Sequence, residues 1–136
     1  MTKTLITSFI FVSIIFLIID VIWLSITVKS FYRPALGSLL NDKPVMWAAA
    51  LFYIIYTVSL AIIILQPAIA NDSIFQAFWT GIIFGVVTYG TYNLTNMATI
   101  KDWSPTIVFV DMFWGGFLTG FSSASGIYLS KILFSN

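Results

Sequence analysis

From Leu5 to Val28 the chain runs 24 residues with a single charge, Asp20, and a helix of that length reaches about 36 Å, enough to cross a bilayer with some tilt. Nothing else in the sequence narrows the fold as much, because a chain in lipid must satisfy its backbone internally, as helices or as a closed barrel. Three further apolar stretches follow, and the residues between them read as helix boundaries. Lys43-Pro44 precedes a second span over 45–65, with Gln66-Pro67 as its stop. Asn71-Asp72-Ser73 caps a third, over 74–100. Ser104-Pro105, an N-cap followed by proline at the first helical position, opens a fourth over 105–134. Ser30 to Asp42, where Phe31, Tyr32, Leu36, Leu39 and Leu40 are interrupted by Arg33, Pro34 and Gly37, reads as a short interfacial segment. The expected fold is an all-α integral membrane protein: one transmembrane domain over 1–136, four helices in an up-down bundle, and the interfacial segment after helix 1.

Composition agrees. Only 8% of the 136 residues are charged and 60% are hydrophobic, against about 25% charged in a soluble domain, so a water-soluble monomer is excluded. Lys3 ahead of an apolar run resembles a signal peptide, but the run is too long, contains Asp20 and ends without a small-residue cleavage site, so retention is expected. Cysteine, histidine and glutamate are all absent. Disulfides, thiol nucleophiles, Cys/His metal sites and histidine acid–base chemistry go with them, and no metal or other cofactor is expected. The net charge of +1 includes no basic run, so membrane lipids rather than nucleic acid are the expected partners. The loops after helices 1 and 3 carry Lys29, Arg33, Lys43 and Lys101, and the opposite side carries Lys3 and Lys131. Four against two orients those loops to the cytoplasm and both termini to the outside of a multi-pass membrane protein.

Two small-residue repeats, Gly81 with Gly85 and Gly116 with Gly120, let helices approach closely. They pack the bundle internally or form the seam of a homo-oligomer. The half of helix 4 rich in Ser122, Ser123, Ala124, Ser125 and Gly126 calls for another helix riding against it.

The chemistry concentrates in two matching patterns, Asp20-x-x-Trp23 in helix 1 and Asp111-x-x-Trp114 in helix 4. The spacing puts each indole one turn from its own carboxylate, within reach of a hydrogen bond. Both aspartates sit roughly 9–12 Å below the loop-rich face and so share a layer. Helix 3 brings Tyr89, Tyr92, Asn93 and Asn96 to that layer, with Tyr92 and Asn96 on the wheel face of Gly81 and Gly85 and Asn93 on its flank; helix 2 brings Tyr53 and Tyr56. An aspartate at the centre of a span costs about 2.5–3.5 kcal/mol on insertion scales, so ionisable residues there usually bind an ion, carry protons or face a cavity. The candidate site is Asp20, Asp111, Asn93, Asn96, Tyr92, Tyr89, Trp23 and Trp114.

The string from Tyr89 to Thr99, the Asp20-x-x-Trp23 pattern, Phe31-Tyr32-Arg33 and Val110-Asp111-x-x-Trp114-Gly115 together resemble an uncharacterised family of small bacterial inner-membrane proteins. The resemblance spans nearly the whole chain and implies four helices and a membrane location, with no reaction assigned. In that family an aspartate often stands where this chain has Asn93.

Three functions fit. One is proton- or cation-linked handling of a small molecule in an intramembrane pocket, where the aromatic wall supplies cation–π contacts. Four spans match small multidrug transporters in size, but those depend on a membrane glutamate that this chain lacks. Another is an enzyme, or enzyme subunit, acting on a membrane lipid or isoprenoid with an aspartate as general acid or base. The last is an assembly partner of a larger membrane complex.

Overall fold

A computed structural model describes residues 1–134, helical along nearly their whole length, with no strand among them. The first span is α1 (Thr2–Thr27), extended by a π-helical turn (Val28–Tyr32), the short α2 (Arg33–Leu36) and a 3-10 turn (Gly37–Leu39). The second is α3 (Met46–Leu60), a π turn (Ala61–Leu65) and α4 (Gln66–Ala70); the third is α5 (Ile74–Thr99) and the fourth α6 (Pro105–Phe134). All four are long and apolar enough to cross a membrane. Ile10, Ile14, Val21, Ile54, Ile62, Ile83 and Phe113 lie exposed around the outside, as a hydrocarbon solvent permits and water does not.

Local chemistry explains most boundaries. The Ser73 hydroxyl accepts from the Gln76 N–H, and Ser104 accepts from Ile107 N–H with Pro105 opening α6. The second span differs from expectation: it continues past Gln66-Pro67 to Ala70. Proline lacks an N–H and its ring crowds the carbonyl four residues back, so an uninterrupted α-helix would be broken there. The π turn immediately before it widens the backbone, and Pro67 enters as part of the first turn of α4. The expected segment after the first span consists of helical turns continuous with α1; Gly37 at φ 54° ends α2, and a 3-10 turn to Leu39 closes the segment.

The fourth helix is the central one. Half of its most apolar stretch is buried, against 22–28% in the other three. Its small residues make this possible. A Cβ on Gly85 would lie 2.0 Å from the Gly115 carbonyl oxygen, and one on Gly81 would lie 2.8 Å from Gly120 Cα. Of the two uses open to these glycine pairs, the structure shows packing inside the bundle, with both pairs set between α5 and α6 of one chain. On the Ser-rich half of α6 it is α1 that rides close: a Cβ on Gly126 would meet Val12 Cγ2 at 2.2 Å and the Ser8 carbonyl at 3.1 Å. Val12, Phe16, Leu60, Ile64, Leu118 and Ile127 fill the core on the terminal side of the bundle. The polar layer lies at the other end.

Candidate functional site

Asp20 stands on the buried face of α1 in line with Ser8, Val12 and Phe16, and Asp111 on α6 in line with Ile107, Gly115 and Leu118. Only 6% of Asp20 and 9% of Asp111 is exposed. Each carboxylate takes one donor on each oxygen. Tyr53 of α3 donates to Asp20 Oδ2, and Trp114 Nε1 of α6 donates to Asp20 Oδ1 at 3.2 Å. Tyr32, in the π turn after α1, donates to Asp111 Oδ1, and Asn93 Nδ2 of α5 donates to Asp111 Oδ2 at 3.1 Å. Four helical segments therefore meet on two side chains.

The tryptophans cross over. The spacing alone predicts that each indole bonds the aspartate of its own helix, and neither does. Trp114 reaches Asp20 on α1, and Trp23 Nε1 donates at 3.2 Å to the Tyr32 hydroxyl, which in turn donates to Asp111 on α6. The two rings stack on each other, with centroids 4.2 Å apart and planes within 10°. The two Asp-x-x-Trp patterns thus form one reciprocal unit. Each helix supplies the acid, and the other supplies the indole that serves it.

All of these donors are neutral. The ion pairs among the described residues are Arg33 with Asp42 at 3.8 Å and Lys131 with Asp72, so no lysine or arginine side chain reaches down to Asp20 or Asp111. Donor geometry also says where a proton can sit. Trp114 presents an N–H group, which cannot accept, so Asp20 Oδ1 stays bare, whereas Asn93 donates through Nδ2 and keeps a buried, unpartnered Oδ1 that could accept if the amide turned over. The oxygens facing Tyr53 and Tyr32 meet hydroxyls, which accept as readily as they donate. A proton arriving on Asp111 Oδ1 would turn the Tyr32 hydrogen away and toward the adjoining space.

That space is a chamber of about 260 Å³ lined by Asp20, Trp23, Tyr32, Tyr89, Asp111 and Trp114 and roofed toward the loops by Leu36, Leu40 and Trp103. Tyr89, Tyr92 and Asp111 also wall a second cavity of about 540 Å³, a groove between the second and third spans whose other walls are Phe52, Ile55, Tyr56, Ser59, Phe84 and Thr88. Exposed Phe52 and Ile55 leave that groove open sideways. At its inner edge Tyr56 shares its hydroxyl with Thr119 at 2.7 Å and Thr88 at 3.2 Å.

The chain belongs to the DUF2177 family. The description of that family is "Predicted membrane protein", and it matches residues 5–128, which hold every site residue from Asp20 to Trp114. No curated protein and no solved structure matches the chain. Of the residues expected at the site of this DUF2177 chain, Asp20, Asp111, Trp23, Trp114, Tyr89 and Tyr92 line the chamber, and Asn93 bonds Asp111 from a fully buried position. Asn96 is half-buried and hydrogen-bonds neither carboxylate. The wheel had the two asparagines reversed, because α5 meets α6 along Ala77, Gly81, Gly85 and Asn93, whereas Tyr92 is 58% exposed. Tyr32 and Tyr53 were the functional groups missing from the expected set. Tyr53 sits at the depth of Asp20 and was visible by level; Tyr32 is brought inward by a π turn that no residue pattern announces.

Proposed function

We propose that this membrane protein handles a small molecule in its carboxylate chamber, with uptake and release of a proton or cation at Asp20 and Asp111. The observation that carries this is a pair of buried carboxylates, held by neutral donors from four helical segments, facing one cavity without a basic partner. Uncompensated acids at such depth are expensive unless they exchange a proton or receive a positive ligand. The tyrosine-facing oxygens offer a place for that proton, and the stacked indoles with Tyr89 and Tyr92 offer faces for an organic cation. With the loop lysines and arginine on the cytoplasmic side of a bacterial inner membrane, the chamber lies nearest the cytoplasm and both termini are periplasmic.

Chemistry on a membrane lipid or isoprenoid is the second candidate. It is favoured by the apolar groove that shares a wall with the chamber, since a lipid chain could lie in one and its head in the other. In that case an aspartate serves as general acid or base.

Infrared titration of the purified protein tests the first proposal. The carboxyl C=O band is expected to appear and vanish reversibly as pH is varied, and to lose one component in Asp20→Asn and another in Asp111→Asn. Carboxyl bands that ignore pH throughout, or that respond identically in the parent and both variants, would remove its basis.

A further inference from the structure

The chamber and the groove adjoin along Tyr89, Tyr92 and Asp111. We infer that they form one ligand site that takes a long-chain amphiphile with an amine head and no phosphate, the head lying between Asp20 and Asp111 and the chain along α5. This rests on Asp20 and Asp111 being ligand-binding carboxylates, as proposed above.

The two cavities share part of their walls. Tyr89, Tyr92 and Asp111 belong to both, so Asp111 stands where a polar head would join an apolar chain. The groove follows α5 from Tyr92 through Thr88 to Phe84, eight residues or about 12 Å of helix, directed away from the loops and toward the bilayer centre. Its walls are largely apolar and open to hydrocarbon, which suits a chain entering sideways from the membrane.

The chamber selects the head. After Tyr53, Trp114, Tyr32 and Asn93 have donated, each carboxylate oxygen keeps a lone pair, so the site is rich in acceptors. Ammonium donors fit it, and the ring faces of Trp23 and Trp114 add cation–π attraction. A phosphate would set its oxygens against two carboxylates in a weakly screening interior, so the site works against it. A second copy of the chain laid in the groove would cover its apolar walls and leave the carboxylates unanswered.

The test is binding of dodecylammonium, dodecyl phosphate and butylammonium to the full chain in nonionic detergent, read by tryptophan emission and native mass spectrometry. Dodecylammonium is expected to bind saturably, with the phosphate and the short amine each at least about tenfold weaker, a difference of about 1.4 kcal/mol. Asp20→Asn and Asp111→Asn should weaken dodecylammonium. Ser59→Phe, which fills the groove from a residue bonded only to the Ile55 carbonyl, should weaken dodecylammonium and leave butylammonium unchanged. Ile55→Trp serves the same purpose if Ser59→Phe does not fold. Equal binding of the short and long amines would overturn the groove's role, and equal binding of phosphate and amine would overturn the head selection. A stable dimer that Ser59→Phe dissociates would give the groove to a second copy. No response to any probe while the carboxyl infrared titration persists defeats the amphiphile alone; if that titration is also flat, the underlying function falls with it.

Discussion

Gly85→Ala is a substitution of one methyl group with a consequence two helical turns away. The new Cβ would stand 2.0 Å from the Gly115 carbonyl oxygen, 2.5 Å from its carbon and 2.8 Å from Gly116 N. All three are backbone atoms of α6, so no side chain can swing aside, and α5 must move outward by an ångström or more. Overpacking of this kind costs about 1–3 kcal/mol. Asn93 rides on the same face of α5, and its bond to Asp111 Oδ2 is 3.1 Å long, so an outward shift of that size breaks it. A hydrogen bond to a charged group adds about 1.5–3 kcal/mol. The combined loss is on the order of 3–5 kcal/mol. Gly90→Ala is the internal control, because its Cβ would meet the flexible tip of Met112, Cε at 3.0 Å, and the side chain can give way. Equilibrium unfolding in mixed micelles should show a large loss for Gly85→Ala and a small one for Gly90→Ala. Gly85→Ala as stable as the parent, or the two variants equally damaged, would refute the close approach of α5 and α6.

Other outcomes follow from the same geometry. Asn93→Asp sets a second carboxyl group against Asp111, so the two must share a proton, and infrared titration should gain one coupled step while the helices stay folded. Trp23→Phe removes the donor behind the Tyr32 hydroxyl and keeps an aromatic ring near Trp114, so the Asp111 carboxyl band should change more than that of Asp20. Lys131→Met should change unfolding stability by no more than about 1 kcal/mol, because its partner Asp72 is largely exposed and surface pairs contribute little.

Much of this architecture is legible in the residues. Asp20 is the only charge between Leu5 and Val28, and insertion cost alone singles it out and places it inward. Ser73 and Ser104-Pro105 mark helix starts by their own hydrogen-bonding chemistry, and both do so in the structure. What stays hidden depends on small rotations. A π turn adds a residue to one helical repeat, and that is how the helix passes Pro67 and how Tyr32 comes to face Asp111. A 100° wheel run over α5 misplaces Asn93 by one face, because contact with α6 follows the four-residue spacing from Ala77 through Gly81 and Gly85 to Asn93. The crossing of the two tryptophans could not be read from spacing within either helix, since each partner lies on the other.

That Asp20 and Asp111 face one chamber is tested most directly by isotope-edited infrared titration of Asp111 in the parent and in Asp20→Asn. Two acids sharing a cavity titrate as a pair, so the midpoint of Asp111 should move when Asp20 loses its charge. An Asp111 midpoint indifferent to that substitution would mean that the two carboxylates lie in separate surroundings.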